Sequence, residues 1–171
     1  MQPYTVAIAD LDRNRRNGFE RFLQNEPGIA LLENILSNTE TVYTPSFVDR
    51  RLKSRANIIA SENEVARVKR LNPRVILVNL DSFADEECAL LLSLRRECPM
   101  CLMILLAENS VPDNQIIHAL ELGARGYLKY DTVQGQLANA VRNVGRGEAW
   151  VPRKLLGNIM DYLLTRNLQI A

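Results

Sequence analysis

The chain has 171 residues, of which 47% are hydrophobic and 24% are charged, and its formal net charge is +1. This size and composition predict a globular protein with one substantial core, and the near-neutral charge gives no reason to expect direct binding to nucleic acid or to an anionic membrane. No apolar run approaches the roughly 20 residues that span a bilayer, and the amino terminus lacks the pattern of a signal peptide. We therefore expect a cytoplasmic protein without a membrane segment.

Short apolar runs predict five strands. The central run, residues 74–81, has five Val, Ile or Leu residues in six consecutive positions. This is typical of a strand that is buried on both faces in the middle of a parallel sheet. The predicted strands are residues 6–9, 29–36, 74–81, 102–107 and 126–130.

Helical spacing of apolar residues separates these runs. Ser61 begins a capping box with Glu64 and predicts a helix start, Thr132 predicts another, and Gly123 predicts a helix end. The predicted helices are residues 13–24, 61–72, 84–96, 112–122 and 132–144. Because strand and helix alternate five times, we predict an α/β fold with a doubly wound, five-stranded parallel sheet and right-handed crossovers.

Residues 37–60 form a longer connection than a compact domain normally needs. Arg50, Arg51, Lys53 and Arg55 lie close together in this insertion. The segment is therefore either a docking or anion-binding arm, or a solvated insertion that is attached to the core at its end.

Residues 152–166 form a second segment beyond the sheet, with one apolar stripe at helical spacing. The stripe consists of Leu155, Leu156, Ile159, Met160, Leu163 and Leu164. Something must cover it, either the same domain or another chain. We predict a domain of residues 1–147, followed by a linker and an extra C-terminal amphipathic helix within residues 148–171.

Three cysteines, an odd number, argue against a disulfide framework. Cys98 and Cys101 have the C-x-x-C spacing of redox and zinc sites, but Cys101 leads directly into a predicted strand and not into a helix. The sequence therefore favours buried or turn-lining thiols over a redox site.

Two polar residues stand at the carboxyl end of the central strand, where ligands bind in open α/β sheets. Side chains alternate along a strand, so Asn79 and Asp81 lie on the same face. This amide and carboxylate are the first candidates for chemistry.

Four segments resemble the receiver domain of response regulators, which has the CheY-like fold. They are residues 9–10, 73–78, 119–128 and 137–152, and the most specific parts are the Leu-Gly-Ala-x-Gly-Tyr and Gly-Glu-x-Trp sequences. Residues 137–152 are similar to the last receiver helix and linker of the NarL/FixJ (LuxR-type) transcription regulators. The resemblance covers about residues 4–160 apart from the insertion, and it implies the strand order 2-1-3-4-5.

In that family an acidic pair after the first strand holds Mg²⁺, and an aspartate that ends the third strand becomes an acyl phosphate. A hydroxyl residue and a lysine at the ends of strands four and five bind the phosphoryl group. Asp10 matches the first acid, and Tyr127 matches the aromatic residue before the lysine. The second acid, the aspartate, the hydroxyl residue and the lysine are replaced by Leu11, Asn79, Leu106 and Tyr130.

These replacements indicate a degenerate phosphorylation site. An amide is a poor nucleophile, so Asn79 cannot form the acyl phosphate, and Lys129 is one residue too early to point to the same face. Asp81 is displaced by about 6.6 Å along the strand, far beyond the reacting distance of about 3–3.5 Å. Asp12 points the same way as Asp10 if the first strand continues, which leaves at most a weak Mg²⁺ site.

We therefore expect a pseudo-receiver domain of a two-component-type transcription regulator, which signals through protein contacts and holds Tyr127 in one position. The alternatives are a stand-alone adaptor, a receiver phosphorylated at Asp81, and an enzyme on the same scaffold. The expected partner is a second copy, through Leu155, Ile159 and Leu163. DNA binding would require the helix-turn-helix domain that this family carries after the linker and that these 171 residues do not include.

Overall fold

A five-stranded parallel sheet with helices on both faces forms the body of the protein. The computed structural model describes residues 1–32, 50–80 and 89–170, and residues 50–58 by their backbone only. The strands are β1 Tyr4–Ala9, β2 Ile29–Leu31, β3 Val75–Asn79, β4 Leu102–Ala107 and β5 Gly126–Lys129. The helices are α1 Arg13–Leu23, α2 Arg50–Leu71, α3 Ala89–Glu97, α4 Asp113–Glu121, α5 Tyr130–Gly145 and α6 Arg153–Ile170.

The strand order is β2-β1-β3-β4-β5, which confirms the fold class and the order implied by the family resemblance. All five residues of β3 are buried, as expected for a continuous apolar run between two helical layers. The register pairs Ala9 with Val78 and Asn79 with Leu106. The carboxyl ends of β1, β3 and β4 therefore meet at one edge of the sheet.

Alternation along each strand divides the core into two layers. Ile76 and Val78 pack with side chains from α2, α3 and α4, whereas Val75 and Leu77 pack with side chains from α1 and α5. Continuing this alternation places Asn79 on the α1–α5 face. The polar end of the central strand is thus directed at those two helices.

The predicted helix start at Ser61 is wrong, because α2 is one helix of 22 residues that begins at Arg50. Residues 50–60 include neither glycine nor proline, so nothing ends the helix before Ser61. A capping box has an effect only where the chain leaves the helical conformation. Residues 50–60 of the predicted insertion are therefore helix. Its remaining part, residues 37–49, and the predicted start of the third helix at residue 84 lie outside the described residues.

The predicted boundary at Thr132 is also wrong, because β5 ends at Lys129 and α5 begins at Tyr130. The Thr132 hydroxyl instead donates to the carbonyl oxygen of Lys129 at 2.9 Å. The left-handed Gly123, with φ of 112°, follows α4 as predicted. None of the described helices is long and apolar enough to cross a membrane.

The C-terminal helix α6 packs on α4 of the same domain. Leu155 is buried in the core, the Asn158 side chain donates to Asp113 at 3.1 Å, and Arg166 pairs with Glu121 at 2.7 Å. The linker before α6 runs beside β5, where the Tyr127 amide donates to the Trp150 carbonyl at 2.8 Å. One face of the predicted apolar stripe is therefore covered within the chain. The predicted domain boundary at residue 147 stays a prediction.

Two glycines of α5 should respond oppositely to alanine. A Cβ at Gly145 would lie 2.6 Å from the Tyr4 ring, whereas a Cβ at Gly135 would meet no atom within 4 Å. We expect Gly145→Ala to lower the free energy of unfolding by about 1–2 kcal/mol, because the ring must move. Gly135→Ala should raise it by about 0.5–1 kcal/mol, because alanine is the better helix former. Urea denaturation measures both, and equal effects would contradict the close contact between Gly145 and Tyr4.

Candidate functional site

The site lies where β1 and β3 end side by side. Of the residues described, Asp10 and Asn79 are the polar ones that are almost fully buried, with exposures of 2% and 1%. The Asn79 Nδ2 donates to Asp10 Oδ2 at 2.7 Å. Because a carboxylate can only accept hydrogen bonds, this contact fixes which end of the amide faces Asp10.

Arg15, in the first turns of α1, binds Asp10 with both ends of its guanidinium group. Nε lies 2.6 Å from Oδ2 and an Nη atom lies 2.9 Å from Oδ1. The backbone amide of Asp12 also donates to Oδ1 at 2.8 Å. The Asp10 carboxylate therefore accepts at least four hydrogen bonds, which is about its full capacity.

Tyr130 completes the cluster from the first residue of α5. Its hydroxyl donates to Asn79 Oδ1, and its ring lies below the Arg15 guanidinium, with the carbon Cζ 5.7 Å from the ring centroid. The Phe19 ring packs against the Tyr130 ring at a centroid distance of 5.7 Å. We call Asp10, Arg15, Asn79 and Tyr130 the buried network.

Electrostatics hold the arginine in its charged form. The hydrogen bond to Asp10 raises the pKa of Arg15 above its usual value, and this effect exceeds the opposing effect of partial burial. The negative charge of Asp10 acts in the same direction. A permanent cation thus lies against the carboxylate that would face the metal in a phosphorylatable receiver.

Leu106 and Leu11, at two of the other positions that the family resemblance marks, have apolar side chains. Leu106 is fully buried opposite Asn79, and Leu11 is 41% exposed. Lys129 lines a cleft with Trp150 and Arg153, and no residue of the buried network lines that cleft. Tyr127 is buried in the core layer on the α4 side.

Asp12 does not join the network as a metal ligand. β1 ends at Ala9, so the continuation that would align Asp12 with Asp10 is not found. Asp12 is instead the N-cap of α1, where its Oδ1 accepts from the amides of Asn14 and Arg15 at 2.9 and 3.1 Å. Asp81 lies outside the described residues.

The described residues of this site do not fit the Mg²⁺ ion that the fold family implies. Both oxygens of Asp10 bind Arg15, Leu11 supplies no ligand, and Asn79 directs its N–H group, not its oxygen, toward Asp10. The described residues also include no group of three His, Cys, Asp or Glu side chains that could hold a metal. A metal ion would have to displace the guanidinium group from Asp10.

Arg15 is the functional residue that the sequence analysis missed. Arg13, Arg15 and Arg16 occur within four positions, and no feature of the sequence separates them. Only the direction of α1 relative to the sheet places the second of these side chains over Asp10. The sequence contained only a weak signal for this contact: a basic residue, Arg15, follows the buried acid Asp10 by about one helical turn.

The predicted interface residues lie in different environments. Leu155 is 4% exposed in the core, Ile159 packs partly against the same core, and Leu163 is 47% exposed. Leu155 is therefore not accessible to a partner, because it faces α4. The prediction of one continuous contact stripe was wrong in this respect.

The C-x-x-C segment forms a turn between α3 and β4. Burial raises the pKa of Cys98, and it raises the pKa of Cys101 to about 11. The Cys101 thiol donates to the Pro73 carbonyl at 2.9 Å. These thiols have the opposite character to the low-pKa cysteines of redox sites.

Comparisons with known proteins agree on the fold. A scan against protein-family models gives no match, and a search of curated proteins gives none either. Among solved structures, the isolated receiver domain of RcsB from Salmonella enterica serovar Typhimurium has a TM-score of 0.66 at 18% identity, covering 92% of this chain and 98% of that chain.

Two further similar structures are also those of response regulators. A LuxR-family two-component response regulator from an Aurantimonas species has a TM-score of 0.68 at 13% identity, over 95% of this chain and 99% of that one. The receiver domain of the response regulator NarL from Mycobacterium tuberculosis has a TM-score of 0.60 at 16% identity, over 86% and 100%. The chain thus has the CheY-like receiver fold of LuxR/NarL response regulators, as the sequence resemblance implied.

Removing Arg15 should destabilise the protein strongly. Arg15→Ala leaves Asp10 charged and buried, which should cost about 3 kcal/mol, the low end for breaking a buried pair because a quarter of the arginine remains exposed. Arg13→Ala, two residues earlier at an exposed position, should change stability by less than about 0.5 kcal/mol. Adding Asp10→Asn to Arg15→Ala should recover part of the loss in urea denaturation. Equal losses for the two arginines would contradict a structural role for the pair.

The thiol of Cys101 should react slowly. With a pKa of about 11, its alkylation rate should keep rising up to that pH, because only the thiolate is nucleophilic. In the urea-unfolded chain the rate should level off near the ordinary thiol pKa of about 8.5. Peptide mass spectrometry after timed iodoacetamide treatment measures this, with circular dichroism to confirm folding at each pH. Equal rates at pH 8 in the folded and unfolded chains would refute the protection.

Proposed function

We propose that this chain is a regulatory receiver-type domain whose output does not depend on phosphorylation of an aspartate at the end of β3. The observation that carries the proposal is the bidentate contact of Arg15 with Asp10, at 2.6 and 2.9 Å. The positive charge that Mg²⁺ supplies in a phosphorylatable receiver is here part of the polypeptide. The domain would then remain in one conformation, which partners recognise directly.

The energetics favour this constant state. Breaking a buried ion pair by removing one partner costs about 3–5 kcal/mol, which corresponds to more than a hundredfold in an equilibrium constant. A metal ion that competes for Asp10 would have to overcome this cost. Asn79 and Tyr130 add to it, because each would lose a hydrogen bond within the network.

The remaining replacements support the same proposal. Leu106 has no hydroxyl to bind a phosphoryl oxygen, and Tyr130 directs its hydroxyl to Asn79. We infer that Tyr127, which is 2% exposed, stays buried and does not alternate between two positions. Phosphorylation at Asp81 remains a separate candidate, since that residue lies outside the described ones.

We further propose that the domain serves a transcription regulator as a homodimer in the cytoplasm. RcsB, whose receiver domain has the same fold, has been solved as two dimers bound to two parallel DNAs. Contact with DNA would come from a helix-turn-helix domain that is not among these 171 residues. A stand-alone adaptor is the alternative, and in neither case would the chain be an enzyme.

Treatment with acetyl phosphate and Mg²⁺, followed by intact mass and peptide mapping, tests the first proposal. We expect no hydroxylamine-labile adduct on the parent chain, and little on Asn79→Asp, because Arg15 still binds Asp10 and Leu11 supplies no second acid. The combined Leu11→Asp, Arg15→Gln, Asn79→Asp and Tyr130→Lys variant should gain phosphorylation.

The Asp81→Asn variant is the matched control, because it removes only the alternative acceptor. A stoichiometric adduct on Asp10, Asp12 or Asp81 of the parent chain would overturn the proposal. An adduct that disappears in Asp81→Asn would assign the modification to that residue.

A further inference from the structure

α6 has a second apolar face that is exposed to solvent. Leu156, Met160, Leu163, Asn167 and Ile170 follow one another at alternating intervals of four and three residues. The four apolar members are between 44% and 78% exposed, and Asn167 is exposed as well. We call these five residues the outer seam.

The outer seam is separate from the face that attaches α6 to the domain. Leu155, Ile159 and Arg166 face α4, through the core contacts of the first two and the ion pair of Arg166 with Glu121. At about 100° per residue, the outer seam is centred roughly a quarter turn away from them. The helix is thus fixed on one face, while the adjacent face exposes large apolar side chains to water.

We propose that the outer seam pairs with the outer seam of a second copy of this chain, as a parallel two-stranded coiled coil. The alternating intervals are those of a heptad, with Leu156, Leu163 and Ile170 at d positions and Met160 and Asn167 at a positions. This inference deepens the homodimer proposed above and does not depend on the absence of phosphorylation.

Asn167 determines the orientation. In a parallel pair the two copies of Asn167 meet at the same level, and their amides can hydrogen-bond across the seam. In an antiparallel pair centred on Leu163, each Asn167 would lie level with the apolar residues Ile159 and Met160 of the other copy, and its amide would be buried without a partner. Such an unsatisfied group is costly, so the parallel arrangement is favoured.

The e and g positions that flank the outer seam also favour pairing with a second copy of this chain. In the parallel register, Ile159 at a g position meets Leu164 of the other copy at an e position. Ile159 is only partly covered by its own domain, and Leu164 is 61% exposed. Arg166, the charged residue at the next g position, is already paired with Glu121 at 2.7 Å, so no unpaired like charges face each other there.

The size of the seam indicates a moderate affinity. α6 has 18 residues and is about 27 Å long, and an isolated coiled coil of this length would be marginal. Here α4 already orders the helix, so association has less conformational entropy to overcome. The apolar surface of several hundred Å² per copy is close to the most that monomers leave exposed. We expect a dissociation constant in the micromolar range, as for small interfaces.

Sedimentation equilibrium of the full chain tests the seam. We expect a reversible dimer in the parent and a loss of at least tenfold in affinity for Leu163→Glu, because that substitution places a charge at the central d position. Thr165→Glu adds the same charge at an exposed f position of the same helix and should leave the dimer intact. Circular dichroism would confirm that both variants are folded, since neither residue is buried.

Disulfide formation tests the orientation. Asn167→Cys should form a disulfide between the two equivalent residues under mild oxidation, because a bond requires Cα atoms within about 7 Å, which a parallel pair provides. Peptide mapping identifies the bond among the natural cysteines, and Thr165→Cys, on the opposite side of the helix, should not form one.

Each outcome of these two experiments tests a different part of the proposal. A parent that stays monomeric at several hundred micromolar would overturn both the seam and the homodimer. A dimer that survives Leu163→Glu would overturn the seam alone, and a Leu163-dependent dimer that does not cross-link at Asn167→Cys would overturn the parallel arrangement. None of these results would bear on the acetyl phosphate experiment.

Discussion

The ion pair between Asp10 and Arg15 allows the rest of the site to be buried. A carboxylate with 2% exposure is stable inside a protein only if it is paired and hydrogen-bonded, and the guanidinium group satisfies both needs with two contacts. Asn79 can then lie beside the carboxylate as a donor, and Tyr130 can donate to Asn79 in turn. Without the arginine, the sheet edge would contain an unpaired buried charge. The hydrogen bonds of Asn79 and Tyr130 would then no longer be built on a neutralised carboxylate.

The receiver fold explains why these four residues meet. Parallel strands bring their carboxyl ends to one edge, and alternation turns Asp10 and Asn79 toward the α1–α5 face. α1 and α5 begin at that same edge, so that Arg15 and Tyr130 lie above the strand ends. The location that serves as a reaction site in a phosphorylatable receiver is here filled by protein groups that satisfy one another. A cavity for a phosphoryl group and this hydrogen-bonded network would be alternative uses of the same space.

The C-terminal helix combines two roles on two faces. Leu155 and the ion pair of Arg166 with Glu121 attach α6 to α4, which fixes the helix in position. The heptad residues on the adjacent face remain exposed to solvent. A helix that is ordered by its own domain can present such a face at low entropic cost. The buried network and the outer seam are therefore independent elements: one stabilises the conformation of the domain, and the other is the surface that we propose for pairing with a second copy.

The sequence alone determined the alternation of strands and helices, the buried central strand and the presence of an amide, Asn79, at the end of that strand, because these depend on local patterns and residue identity. It gave the wrong start for α2 at Ser61, since a capping signal competes with helix formers that precede it, and the wrong start for α5 at Thr132. Only the tertiary structure decided that Arg15, among three neighbouring arginines, binds Asp10, and that Leu155 and Leu163 belong to different faces of α6. Both outcomes depend on how a helix is rotated against the sheet or against α4, and that rotation is set by packing between residues distant in sequence.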